Sequence, residues 1–187
     1  FQRAKMRDVY SIIRGRDLES GEFSEELRTQ QFEKMKVSLP IILDNTNWQG
    51  FLKVLIGSGY KDDELISSKN AVLYSYILFL IGKENFKTQN HELQRIIGRW
   101  FVMSSLTGRY SSSPETAFEK DLNRIKDFDA DGFVAGLEKV ITENLTNDFW
   151  DITLVGQMKL HPREVLRRTH FMLLRTNLVH RLFFLGN

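Results

Sequence analysis

Apolar residues recur at helical spacing along almost the whole chain, which predicts an all-α protein built as an irregular multi-helix bundle. A first helix is expected over 1–14, with Met6, Val9, Tyr10 and Ile13 on one side. "GRDLESGEFS" then reads as a loop. Ser24 is placed to cap the next helix, and Glu25 and Glu26 suit its first turn, where carboxylates oppose the exposed N–H groups. That helix should run to about Leu43, with Leu39-Pro40 kinking or dividing it. Asn45-Thr46-Asn47 is expected to cap a short helix carrying Trp48, Phe51, Leu52 and Leu55, closed by Gly57-Ser58-Gly59.

Residues 69–82 are apolar nearly all round, through Val72, Leu73, Tyr76, Ile77, Leu80 and Ile81. A helix of that kind belongs at the centre of the bundle, and Gly82 is expected to end it. Leu93, Ile96, Ile97, Trp100, Phe101 and Leu106 share one face of a further helix over about 89–107. Ser113-Pro114-Glu115 combines a capping side chain, a proline at the first helical position and an acid after it, so a helix should start there and run to about Lys126. The last, from about Ala130 to Asn144, turns Phe133, Leu137, Val140 and Ile141 inward.

Composition changes this picture little. With 187 residues, 42% hydrophobic and 27% charged, the chain can bury a sizeable core and is not of disordered type. It has no cysteine, which removes disulfides, thiolate metal sites and cysteine nucleophiles, and fits a reducing cytoplasm. The longest apolar run, "AVLYSYILFLI" at 71–81, is too short to span a bilayer, so no membrane partner is expected. The chain begins at Phe1 and is read as a piece of a longer protein. Charge is more telling. From Lys159 onward there are six basic residues, one Glu and three of the four histidines. That leaves 20 of the 26 basic and 23 of the 24 acidic residues in 1–158, a net of −3 under a strongly basic tail.

Two stretches are candidates for chemistry. In "RWFVMSSLTGRYSSSPETAFEKDLNRI", 99–125, Arg95 and Arg99 share a helix face and Arg109 follows the glycine. With the free N–H groups after Ser113 these could receive a phosphate, and the same arginines with the basic tail could make a nucleic-acid-binding module. Against this, Glu115, Glu119 and Asp121 follow closely and would repel an anion. The favoured reading is a joint between two packed helices, with Arg99 or Arg109 paired to one of those acids and Tyr110 packed under the loop. The second stretch, "DFDADGFVAGLE" at 127–138, matches a calcium-loop pattern, with Asp127, Asp129, Asp131 and Glu138 as carboxylate ligands and the Phe133 carbonyl between them. The competing reading makes it an acidic helix start, with Asp129 as cap, after which the carboxylates diverge. That reading is preferred, because Lys126 and Lys139 flank the stretch and no second loop exists to pair with it. His91 is alone, and His161, His170 and His180 are 9 and 10 apart, not at ligand spacing. No phosphate-cradling glycine loop, His-Glu-x-x-His or nucleophile elbow occurs. Trp48, Trp100 and Trp150 are read as core, and no catalytic residue, metal or cofactor is assigned.

The same 99–125 stretch resembles one found in GmrSD-like bacterial restriction proteins, whose N-terminal domain has a ParB-like nuclease fold. There an aromatic helix leads to Gly-Arg-Tyr-Ser and then to a helix with Asp-Leu. "LTNDFWDITL", 145–154, resembles the segment that follows, and "NWQGFLKVL" (47–55) and "MRDVYSIIRGRD" (6–17) match more weakly. The resemblance implies phage and foreign-DNA defence and a parent protein that is a nuclease or NTPase. The family's Asp-Gly-Gln-Gln-Arg motif and HNH-type nuclease are absent, so the chain is expected to be the non-catalytic helical region that follows the catalytic domain. Its partners would be the parent's N-terminal and C-terminal domains, with DNA reached through the parent.

The domain is therefore expected over 1–155, with 156–187 as a basic tail. Family members continue after Ile-Thr-Leu with Pro-Asn and then Glu-Thr-Ser-Ser-x-x-Ser-Pro, whereas this chain reads "VGQMKLHPREVL". Codons for Met158 to Leu166, shifted back by one base, can spell Glu-Thr-Ser-Ser-Ala-Arg-Ser-Pro. Those under Met172-Leu173-Leu174 can spell Tyr-Ala-Ala. The tail is accordingly expected to be a frame-shifted continuation.

Overall fold

The computed structural model describes residues 13–17, 20–60, 66, 68–125, 129–154 and 156. The expected first helix, apart from its last two positions, and the proposed frame-shifted tail beyond Gly156 lie outside the described residues. What is described is an all-α multi-helix bundle: α1 (Glu25–Leu43), α2 (Asn45–Gly57), α3 (Lys69–Glu84), α4 (Asn90–Thr107), α5 (Pro114–Ile125) and α6 (Ala130–Asn144). A π-helical turn, Phe149–Leu154, follows and buries Phe149 and Trp150.

Local signals explain most boundaries. Ser24 accepts from the Leu27 N–H, Ser68 from Ala71 and Asp129 from Gly132, each relieving one of the unpaired donors at a helix start. The cap of α2 is Asp44, one residue ahead of the expected Asn45; its carboxylate accepts from Asn47 N–H at 2.9 Å. That bond, before any other influence, holds the Asp44 carboxyl below its ordinary pKa. Before α1, Arg16 and Phe23 form an isolated antiparallel bridge inside the expected loop.

Two expectations are corrected. Pro40 does not divide α1, which continues to Leu43. The proline removes only the bond to the Lys36 carbonyl, and on so exposed a helix water can satisfy it. Gly82 does not end α3, which runs on to Glu84. A Cβ at Gly82 would lie 2.7 Å from Phe133 Cε1 and also collide with Leu93, so this glycine lets α3 approach α4 and α6. Gly98 does the same for α4 against Ser58.

The apolar helix α3 lies in the core as its sequence required, burying Tyr76, Leu78, Phe79 and Leu80 on one side while Leu73 is exposed. It shares the centre with α4, which packs against α2, α3 and α6 and buries Leu93, Ile96, Ile97, Trp100, Phe101 and Met103. Phe133, Leu137, Val140 and Ile141 of α6 close the core from the far side. Among the described residues no helix is long and apolar enough to cross a membrane.

Candidate functional site

The joint between α4 and α5 gathers a buried carboxylate, an arginine and a tyrosine. Gly108 ends α4 in the left-handed conformation, at φ 62°, where a side chain would be strained. The turn this makes throws Arg109 and Tyr110 back over the bundle. On α5 the inward stripe is Phe118, Asp121, Leu122 and Ile125, so an aspartate is carried into the core at helical spacing.

Asp121 is 1% exposed and is fully answered. Arg109 donates to both of its oxygens, through Nε at 2.9 Å and through Nη2. The Tyr110 hydroxyl donates to Oδ2 at 2.9 Å. Three donors on one carboxylate are what a buried charge needs to be tolerated. Neighbours complete the knot. The Arg109 guanidinium lies over the Trp100 ring at 5.4 Å and reaches the Asn144 side-chain oxygen at 3.4 Å. Asn70 of α3 donates to the Tyr110 carbonyl at 3.3 Å, and Tyr74 packs edge-on against the Tyr110 ring at 4.8 Å. Burial, reinforced by the Asp121 charge, pushes the Tyr110 phenol well above its ordinary pKa. For Arg109 burial acts to lower the pKa, but bonding and attraction to Asp121 outweigh it and the net direction is up. The joint reading is thus what these atoms show, and the acid that Arg109 selects is Asp121.

A second arginine is held differently. Arg99, 7% exposed, donates to Glu138 on α6 at 2.6 Å, and Arg95 approaches the same carboxylate at 3.5 Å. Burial, ahead of the Glu138 attraction, leaves the Arg99 pKa below its ordinary value. A DNA contact through Arg95, Arg99 and Arg109 would have to compete with these pairings. Arg99 and Arg109 are turned into the bundle and committed to carboxylates, and Arg95 shares Glu138 with Arg99.

At 127–138 the described residues follow the preferred reading, a helix start capped by Asp129. Glu138 is engaged by Arg99, and Asp129 caps α6 through Gly132 N–H at 2.7 Å. Asp127 and the Asp131 side chain lie outside the described residues. Among the described residues no three carboxylate or imidazole side chains gather to hold a metal ion. Trp100 and Trp150 are buried, and Trp48 is stacked on Tyr76 at 3.9 Å, so none offers a free face for a base. His91 is exposed on α4, and the other three histidines lie outside the described residues.

Comparisons with protein-family models, with curated proteins and with solved structures each find no match. The reading of the site rests on its own geometry and on the sequence.

That geometry contains one feature the sequence reading missed. Beside the Arg109–Asp121 knot lies a cleft of about 450 Å³, lined by Thr107, Gly108, Arg109, Ser112, Ser113, Thr116, Ala117, Lys120, Arg124 and Asn144. It contains three cationic side chains and no carboxylate. None of the three acids expected to repel an anion here lines the cleft. Asp121 points into the core, Glu115 acts on Tyr74, and Glu119 does not line the cleft. The signal was available, because positions 113, 116, 117, 120 and 124 form one stripe along α5.

Proposed function

We propose that this chain is the non-catalytic helical scaffold region of a GmrSD-like bacterial DNA-restriction protein, a cytoplasmic defence protein whose nuclease or NTPase chemistry resides in other domains. The observation that carries this reading is the enclosure of Asp121. The residues of the motif that resembles the family, Arg109 and Tyr110 with Asp121, bond one another, and Asp121 is buried among them at 1% exposure. They fasten α4, α5 and α6 together, which suits a region that supports neighbouring domains of the same protein. DNA would be reached through the parent protein.

The purified chain is expected to cut no DNA and to hydrolyse no nucleotide, with or without magnesium, because no phosphate-cradling loop or convergent metal ligands occur among the described residues. Turnover that survives extensive purification, and is lost when a residue of this chain is replaced, would overturn the scaffold reading. Sequencing the gene on both sides tests the resemblance directly. An upstream Asp-Gly-Gln-Gln-Arg-type domain is expected, with a one-base shift near codons 155–158 that opens a Glu-Thr-Ser-Ser-like frame.

A further inference from the structure

The cleft beside the joint has the chemistry of an oxyanion site, and two of its three cations, Lys120 and Arg124, are not used by the motif for packing. Lys120 and Arg124 stand one helical turn apart on the outer stripe of α5, opposite the buried Phe118, Asp121 and Leu122. Lys120 is exposed, and no described side chain pairs with it. Arg124 is held only at the rim, 3.4 Å from Glu143, with both side chains about half exposed. An exposed pair of that kind is worth little and exchanges readily for a better anion. Arg109 closes the inner wall. Its bonds to Asp121 and Asn144 use three of its five N–H donors, so the guanidinium is fixed in place with capacity left over. Ser112, Ser113 and Thr116 add hydroxyls that can donate to oxygen.

We propose that the Lys120–Arg124 cleft binds a phosphate group, either of a nucleic-acid strand or of a small phosphorylated ligand. The site needs no catalytic group and does not depend on the scaffold reading. A chain that fails to bind phosphate can still be a scaffold, and one that binds it can still belong to another kind of protein.

The test uses the full chain with sodium pyrophosphate and, separately, a fluorescent single-stranded oligonucleotide at low salt. Pyrophosphate at millimolar concentration is expected to shift the backbone amide NMR signals of 112–117 saturably. The shifts should vanish in Lys120→Gln/Arg124→Gln, while Lys53→Gln on α2 leaves them unchanged. If the phosphate belongs to a strand, the oligonucleotide binds too, and the double variant lowers the slope of log affinity against log salt by about two. If pyrophosphate binds at the cleft and the oligonucleotide does not, the ligand is a small phosphorylated molecule. Absence of any shift at these amides overturns the proposal, as does binding that the double variant leaves intact. Both variant side chains are exposed, and neither bonds Arg109 or Asp121. An unchanged melting temperature in the double variant verifies that lost binding is not lost folding.

Discussion

Helices α4 and α1 are nearly the same length and lie at opposite extremes of burial. In α4, eleven of eighteen residues are buried; in α1, none of nineteen is. Apolar content does not explain the difference, because α1 carries Leu27, Phe32, Met35, Val37, Leu39, Ile41, Ile42 and Leu43. Position in the bundle does: α4 packs against α2, α3 and α6, whereas among the described elements α1 packs chiefly against α2 and has no layer of helices on its other sides. The α1 helix meets the body through Leu27, Gln31, Met35 and Ile41, all partly buried, and leaves Phe32, Val37, Leu39, Ile42 and Leu43 exposed. In α4 the apolar residues cover so much of the circumference that even Arg99 and Ser104 are drawn inside. Of these two, Arg99 meets Glu138 on α6, while no described group bonds the Ser104 hydroxyl.

The sharpest way to break this contrast is to remove the carboxylate at the joint. Asp121→Ala leaves the Arg109 guanidinium and the Tyr110 hydroxyl without their partner in a buried setting. A loss of about 3–5 kcal/mol is expected, the usual consequence of orphaning one member of a buried pair. Tyr110→Ala, which empties a ring site 1% exposed, should lose about 3 kcal/mol or more. Urea unfolding measures both. If either variant melts like the parent chain, the joint does not hold the bundle together.

How much of this was legible beforehand depends on how local each signal is. The bounds of α5 and α6 were readable because proline, capping side chains and periodic apolar residues act within one turn. The burial of Tyr110 and the pairing of Arg109 with an acid were also readable, but the acid was not named. The stripe 118, 121, 122, 125 would have selected Asp121 over Glu115 and Glu119. Glu138 was given no partner, because a pattern match says nothing about what stands on the neighbouring helix; Arg99, 39 residues away in sequence, bonds it. Gly82 reads as a stop signal in isolation and becomes a packing position only once Leu93 and Phe133 are placed against it. These misses share a cause: long-range contacts override local preference.

Alkaline pH offers a second handle on the packed region. Tyr60, Tyr74, Tyr76 and Tyr110 all have raised pKa values, burial being the largest cause in each. A raised folded pKa means that the folded state keeps its proton after the unfolded chain has lost it. The associated stability is fully present below the unfolded value near pH 10 and is lost as pH climbs towards the folded value. For each of the deeply buried Tyr60 and Tyr110, the expected loss is about 1.4 kcal/mol per pH unit in that window. Tyr110→Phe should therefore flatten the alkaline limb of a stability-against-pH plot by about one proton's worth, even though it weakens the protein at neutral pH. A limb of unchanged slope would mean that Tyr110 ionises as freely in the folded protein as in the unfolded one. Helix α1 contains no tyrosine and meets this limb through its Ile42 carbonyl, which accepts from the Tyr76 hydroxyl at 2.8 Å.

The smallest expected effect tests the other side of the comparison. Val37 is 66% exposed and Leu43 is 70% exposed, so neither hides much surface that unfolding would newly wet. Replacing both by glutamine removes apolar area already in contact with water, and helix propensity changes little, since glutamine is at least as good a helix former as valine. The double variant Val37→Gln/Leu43→Gln is therefore expected to alter stability by no more than about 0.5 kcal/mol, the range of surface substitutions that touch nothing. The same double change in a buried pair such as Ile96 and Leu137 would unfold the chain, which is what makes the contrast informative. Equilibrium urea unfolding at several protein concentrations measures it. A loss above about 1 kcal/mol, or a midpoint that depends on concentration only in the parent chain, would show that this face is covered in solution. The exposure of α1 would then describe an interface without its partner, not a helix that simply lies at the edge of the bundle.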